Sequence, residues 1–77
     1  MNKARRKWLQ SVIDALEEQK GELESIQEEE QEAFDNMPEG LQDSDRGQTI
    51  YENIDTLESA ASNLEDIISE LQEVLER

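Results

Sequence analysis

The chain has 77 residues, of which 21 are Asp or Glu and 7 are Lys or Arg, so its formal charge is −14 at pH 7. It contains no His and no Cys, which excludes zinc fingers, disulfide frameworks, thiol chemistry and histidine acid–base catalysis. A chain this short forms at most one domain with a small core, and no apolar run approaches the roughly 20 residues of a membrane-spanning helix.

The first predicted element is a helix from about residue 3 to residue 35. Its apolar residues recur at steps of three and four, which is typical of a seam that packs against one partner helix. The predicted seam positions are Leu9, Val12, Leu16, Gln19, Leu23, Ile26, Glu30, Ala33 and Met37. Trp8, Ile13 and Phe34 flank this seam. Two interpretations of Gln19 stay open, because it either sets the register in a bundle core or faces water at an edge.

A hinge is predicted at residues 36–44. Pro38 disfavours helical geometry in the residue before it, so the first helix should end there. Gly40 permits a chain reversal, and Asn36 with Glu39 is the pattern of a cap for a short helical turn at residues 38–42. Side chains suited to cap the next helix follow at Asp43, Ser44 and Asp45.

The second half of the chain predicts a helix over residues 45–76 with an unbroken heptad seam. The seam consists of Ile50, Ile54, Leu57, Ala61, Leu64, Ile68, Leu71 and Leu75. A flanking row of Ala60, Ile67 and Val74 widens it into an apolar stripe. This order of apolar residues argues against disorder, which the high net charge would otherwise favour.

The predicted fold class is all-α, an antiparallel two-helix hairpin resembling a coiled coil, in one domain over residues 1–77. The short connection requires antiparallel packing, and Leu9 then faces Leu75 while Leu16 faces Ile68. Because two helices bury little surface, we expect a homo-oligomer, specifically a dimer that forms a four-helix bundle. The predicted oligomer interface consists of Ala60, Ile67, Val74, Trp8 and Ile13.

The residue types present argue against an enzyme. Without His or Cys a nucleophile would need an activated Ser, Thr or Lys, and Lys20 lies among acids that keep it protonated. The segment 43–47 resembles the start of a calcium loop, but its glycine comes one position early and no glutamate follows at the twelfth position. We therefore expect no catalytic residue, no metal site and no cofactor.

One basic cluster lies at the start of the chain, at Lys3, Arg5, Arg6 and Lys7. It is a possible anchor for phosphate or lipid. The alternative is structural, since the hairpin brings this end beside Glu70, Glu73 and Glu76 and so favours ion pairs between the helices. Direct partnership with nucleic acid or a membrane is not expected, because the rest of the chain is strongly negative.

The dominant feature is an acidic run in the first helix, with nine acids against one lysine between residues 14 and 32. On a helix these acids are spaced about 3 Å apart, close to the 3.4 Å between phosphates along one DNA strand. The predicted partner-binding acids are Asp14, Glu17, Glu18, Glu22, Glu24, Glu28, Glu29 and Glu32. The alternative is an acidic surface that serves only solubility.

The hinge segment Phe34-Asp35-Asn36-Met37-Pro38-Glu39-Gly40-Leu41-Gln42-Asp43-Ser44-Asp45-Arg46-Gly47 resembles small acidic helical-hairpin proteins of bacteria and prophages. That resemblance implies a bacterial or phage origin and a binding role directed at the host or its defences, but no activity and no site residues. If the hinge itself recognises a partner, the candidate side chains are Met37, Pro38, Leu41 and Arg46. The alternative is that these residues serve only the turn.

Two functions remain open on the sequence. In the first, the protein is a non-enzymatic inhibitor that presents a DNA-like negative surface to a basic protein that processes nucleic acid or acts in defence. In the second, it is a structural or adaptor hairpin that self-associates through its apolar stripe. The lack of cysteine fits a reducing cytoplasm. Together with the origin that the resemblance implies, the expected location is the cytoplasm of a bacterial or phage-infected cell.

Overall fold

A computed structural model describes all 77 residues. The chain forms three helices, α1 (Lys3–Asp35), α2 (Glu39–Gln42) and α3 (Asp45–Glu76), and no strand. The two long helices pack against each other in antiparallel orientation and α2 is one turn within the hinge. The bounds of the long helices agree with those that the capping and proline signals predict.

The seam of α3 faces α1 as its heptad pattern predicts. Ile54, Ala61 and Ile68 are buried, and the seam positions between them are half-buried. Contacts between the helices lie close to the predicted register, since Glu30 meets Asn53 and the rings of Phe34 and Tyr51 lie 6.0 Å apart. The antiparallel hairpin is thereby confirmed.

The seam of α1 differs from the prediction in every second position. Ile13, predicted to flank the seam and to form part of the oligomer interface, has 0% exposure and is the most buried side chain of the protein. Val12, predicted to lie inside, is 41% exposed. The residues that face α3 are Leu9, Ile13, Leu16, Lys20, Leu23, Gln27, Glu30, Phe34 and Met37.

This difference is a small rotation of α1, which moves alternate seam positions by one residue, keeps the others and improves the packing at both ends of the seam. Both rows repeat at the same heptad steps, so periodicity alone does not choose between them. The observed row buries Ile13 and packs Phe34, whereas the predicted row would have placed the smaller Val12 and Ala33 there. Larger side chains remove more apolar surface from water, so the observed row gains burial at the two ends of the seam. In the middle the same rotation exposes Ile26 and turns Lys20 and Gln27 toward α3.

Side chains of the hinge hold the ends of the two long helices together. Ser44 caps α3 by accepting a hydrogen bond from the Gly47 amide, which selects one of the three predicted caps. The Gln42 side-chain amide donates to the carbonyls of Phe34 and Met37 and so ties the turn to the end of α1. The Phe34 carbonyl also accepts from the Met37 amide. The predicted cap at Asn36 is wrong, because Asn36 ends α1 and α2 has no side-chain cap.

Gly47, rather than Gly40, is the glycine on which the hinge depends. No glycine adopts a positive φ, and a Cβ added at Gly40 would meet no atom within 4 Å. A Cβ at Gly47 would lie 2.2 Å from the Gln42 carbonyl oxygen, which belongs to the backbone and has little room to move. Gly47 is therefore required for the close approach of α3 to the preceding turn.

The hairpin is long and thin, with Cα extents of 59 × 15 × 13 Å and a radius of gyration of 17.5 Å. A compact chain of this length would have a radius of gyration of about 11.5 Å. The accessible surface is 5923 Å², against about 4,800 Å² for a compact protein of this mass. Only five residues are buried, so the hairpin exposes an unusually large surface for its size.

We predict that Gly47→Ala destabilises the protein by about 2 kcal/mol, because the new methyl group forces backbone atoms apart. Gly21→Ala is the matched control, since Gly21 lies inside α1 with open space around it. That control should raise the free energy of unfolding by about 1 kcal/mol through helix propensity. Urea unfolding followed by far-UV circular dichroism measures both. A Gly47→Ala variant as stable as wild type would contradict the close approach.

Candidate interaction surfaces

The eight predicted partner-binding acids of α1 are all exposed, but they do not form a single face. They are distributed around most of the circumference of α1. Only the seam and one neighbouring row of residues spaced seven apart contain none of these eight acids. The acids of α3 outside the seam are exposed in the same way. The structure therefore replaces the predicted acidic face with an acidic surface that covers the outside of both helices.

Lys20 is the one cation within this acidic surface that makes ion pairs. Its Nζ lies 2.8 Å from Glu24 and 3.4 Å from Glu65, and these are the only ion pairs of the protein. The hydrogen bond to Glu24 raises the pKa of Lys20, and the nearby Glu65 raises it further. Lys20 thus stays charged in the seam, as the sequence predicts, while nearly all the other acids remain without a cationic neighbour.

At the open end of the hairpin, the expected ion pairs between the basic cluster and the acids of α3 are absent. Arg6 instead donates a hydrogen bond to the carbonyl of Leu75, in the last turn of α3. That carbonyl has no partner within its own helix, and a cation there also offsets the negative end of the helix dipole. Lys3, Arg5 and Lys7 remain exposed.

The four hinge candidates come together around one groove of about 460 Å³. Met37, Pro38, Leu41 and Arg46 all line it, together with residues from the ends of α1 and α3. Leu41 is 52% exposed, so the groove has an apolar lip accessible from solvent. Its lining is half apolar and also includes Asn36, Ser44 and Arg46, so the groove suits an apolar side chain with a polar neighbour.

A second, unpredicted surface runs along one side of the hairpin. Each long helix contributes a row of residues seven apart, and both rows lie on the same side because Ile26 and Asn53 line one groove. We call this surface the acid-free side. It consists of Arg5, Val12, Gln19, Ile26 and Ala33 from α1, and Arg46, Asn53, Ala60, Ile67 and Val74 from α3.

Three predicted interface residues belong to this side, and Trp8 lies next to it. Ala60 and Ile67 are exposed, Val74 is half-buried and Trp8 is 71% exposed. Val12 and Ile26 were missed as surface residues, since the heptad pattern places them in the seam. The signal that could have found them is the presence of two adjacent apolar rows on α1, of which a two-helix core can bury only one.

The structure gathers no group of three or more acidic residues in a position to hold a metal ion. Neither long helix contains an apolar stretch of the length needed to cross a membrane. A further hollow of about 550 Å³ on α3 is open to solvent and is lined by Glu52, Asp55, Thr56, Ser59, Ala60 and Asn63. Three surface features of the hairpin are suited to contact with another protein, namely the acidic surface, the hinge groove and the acid-free side.

Comparison of the chain with protein-family models, with curated proteins and with solved structures found no match. The function of this protein is therefore inferred from these three surfaces.

We predict that salt stabilises this protein. Acids repel one another along both helices and only two ion pairs are available to be weakened, so screening removes more repulsion than attraction. Raising NaCl from about 0.01 M to about 1 M shortens the Debye length from roughly 30 Å to roughly 3 Å. Over that range the free energy of unfolding should rise by about 1 kcal/mol, or about 5 °C in Tm. A melting temperature that falls with salt would show that the Lys20 pairs dominate.

Proposed function

We propose that this protein is a non-enzymatic binding module whose acidic surface occupies the basic nucleic-acid site of a partner protein and so inhibits it. The observation that carries the proposal is the exposure of nearly all the acids without cationic neighbours. A solvated surface needs only a modest net charge for solubility. The much larger negative field favours a cationic partner.

Linear charge density supports the same proposal. The acids between residues 14 and 32 lie on one continuous helix, so their spacing of about 3 Å is close to that of phosphates along one nucleic-acid strand. A rigid rod holds these charges in place before binding, which lowers the entropy lost on association. The resemblance of the hinge segment adds the expectation of a host or defence protein as the target, in the cytoplasm of a bacterial or phage-infected cell.

Competition with DNA tests this function. The tagged protein is used to capture proteins from a lysate of the source cell at about 50 mM and about 200 mM salt, the range over which phosphate-type contacts weaken steeply. We expect a captured basic protein that duplex or single-stranded DNA displaces, and whose affinity falls at least about tenfold across that range. Capture that salt and DNA leave unchanged would overturn the proposal.

Two matched variants locate the binding acids. The first neutralises exposed acids of α1 through Glu18→Gln, Glu22→Gln, Glu29→Gln and Glu32→Gln. The second removes the same charge from α3 through Glu52→Gln, Asp55→Asn, Asp66→Asn and Glu73→Gln. We expect the α1 variant to lose more affinity for the captured protein, because its acids are the more closely spaced. Equal losses would mean that total charge, rather than α1, is recognised.

A second candidate function rests on the acid-free side. Val12, Ile26 and Ile67 are each more than 40% exposed, and single hairpins of this size rarely supply a sufficient core. We propose that the hairpin self-associates into a four-helix bundle, either to support the acidic surface or as a structural or adaptor unit in its own right. These two roles differ in whether a cationic partner is also bound.

We predict that sedimentation equilibrium of the isolated protein gives twice the chain mass of 8.9 kDa. The dimer mass should persist in high salt, since apolar contacts are not screened and like-charge repulsion is. A single-chain mass at every concentration tested would contradict self-association and with it the structural or adaptor role. The inhibitor function would then be decided by the competition with DNA.

A further inference from the structure

We propose that a second copy of this chain covers the acid-free side, with the two hairpins antiparallel so that the hinge of each lies over the open end of the other. This inference rests on the proposed self-association and specifies its interface and orientation. Three properties of the acid-free side favour a second copy of this chain as the partner that covers it: its charge, its area and the distribution of side-chain size along the rod.

Charge explains why two chains of −14 each can meet here. None of the ten positions of the acid-free side is Asp or Glu, although these residues make up 21 of the 77 in the chain. Arg5 and Arg46 stand at its two ends, and the positions between them are apolar or carry an amide. Contact through this side points most acids of both copies outward into solvent, where repulsion is screened. One acid that borders the side is Glu30, which accepts a hydrogen bond from Asn53 and lines the groove beside Ile26.

The area available matches that of a stable dimer. The side that spans both helices measures about 59 × 15 Å, or roughly 900 Å² per copy. Specific interfaces bury about 800 Å² per partner. The accessible surface also exceeds that of a compact protein of this mass by about 1,100 Å², so covering this side returns each chain to an ordinary exposed area.

Charge at the two ends selects the antiparallel orientation. The hinge end carries Asp35, Glu39, Asp43 and Asp45 with Arg46 as its only cation. The open end is less negative, because the basic cluster and Arg77 lie there beside Glu70, Glu73 and Glu76. Parallel copies would place two negative hinges side by side. Antiparallel copies separate the hinges by the length of the rod, 59 Å, which is far beyond the Debye length, and bring each hinge near a basic cluster.

Side-chain size along the acid-free side favours the same orientation. The large exposed residues Trp8 and Val12 lie toward the open end and the small Ala33 lies toward the hinge, whereas Ile26, Ala60 and Ile67 lie nearer the middle of the rod. With full overlap of antiparallel copies, Trp8 meets the part of the other copy that carries Ala33, and Val12 meets the part that carries Ile26. These parts also contain the grooves beside Ile26 and Leu41, which offer room for Trp8 and Val12.

Such a dimer would also change the charge that a partner meets. One chain carries −14 over 59 Å, or one net charge per about 4.2 Å of rod. Two antiparallel copies over the same length carry one per about 2.1 Å, close to the 1.7 Å of duplex DNA. Because each basic cluster lies near the other copy's hinge, the charge is also more even along the rod. The dimer is therefore the better imitation of a duplex.

The interface is tested with Ile67→Glu, which places an acid at the centre of the acid-free side. Gln72→Glu is the matched control, because it adds the same charge to an exposed site on the same helix. Gln72 lies one heptad after Glu65, on the flank of the α3 seam opposite to Ile67. We expect Ile67→Glu to raise the dimer Kd at least about 100-fold, and the control to change it less than about threefold. The milder Ile67→Ser, with helicity recorded by circular dichroism, separates a lost interface from a lost fold.

The orientation is tested with single cysteines, which the natural chain lacks. Gln19 lies near the middle of the rod and Ala33 near the hinge, both in the same row of α1. Under mild oxidation we expect Gln19→Cys to form a disulfide-linked dimer and Ala33→Cys to remain a single chain. Rapid cross-linking of Ala33→Cys would overturn the antiparallel orientation.

The outcomes separate the two levels of the proposal. A wild-type protein of single-chain mass removes self-association itself. If Ile67→Glu and Gln72→Glu weaken the dimer equally, self-association stands but the acid-free side is rejected as its interface.

A separate measurement shows whether inhibition requires the dimer. The affinity of a monomeric Ile67→Glu variant for the captured basic protein is compared with that of the wild type, and we expect it to fall at least about tenfold.

Discussion

The antiparallel packing of the α3 seam against α1 is the contact on which the rest of the structure depends. Ile13 and Ile68 are the most deeply buried side chains, and they hold the open half of the hairpin together. Toward the hinge the seam of α1 becomes polar, with Gln27 and Glu30 facing α3. A core this narrow fixes which side of each helix points inward, and therefore which side of each helix remains for other contacts.

The separation of charge follows from that packing. Once α1 and α3 face each other through their seams, one pair of neighbouring rows is free of acids and the exposed acids lie on the other outer rows. The only cation in the seam, Lys20, is neutralised by Glu24 and Glu65 and contributes little to the outer field. A single hairpin thus has two chemically distinct surfaces, one suited to apolar contact and one suited to a basic partner. The proposed inhibitor and the proposed dimer use different surfaces, so they are compatible.

Parts of the hinge and of the open end were not predictable from residue type. Several residues near 36–47 are good caps, and only the backbone path shows that Ser44 caps α3 while Asn36 ends α1. Gly40 and Gly47 look equivalent in sequence, but the approach of the Gln42 carbonyl makes only Gly47 necessary. At the open end, opposite charges predicted ion pairs, yet Arg6 reaches a free helix-end carbonyl instead.

Residue order alone specifies the two long helices, their bounds and their antiparallel pairing, because heptad spacing and a proline-containing connection leave few other solutions. It also specifies that the acids lie outside, since charged side chains are not buried without partners. The rotation of α1, in contrast, is settled only by packing in three dimensions. Val12 and Ile13 both fit the heptad steps, and the choice depends on how much surface each row buries against α3. That rotation puts Ile13 in the core and leaves Val12 and Ile26 exposed beside Ile67, which creates the acid-free side.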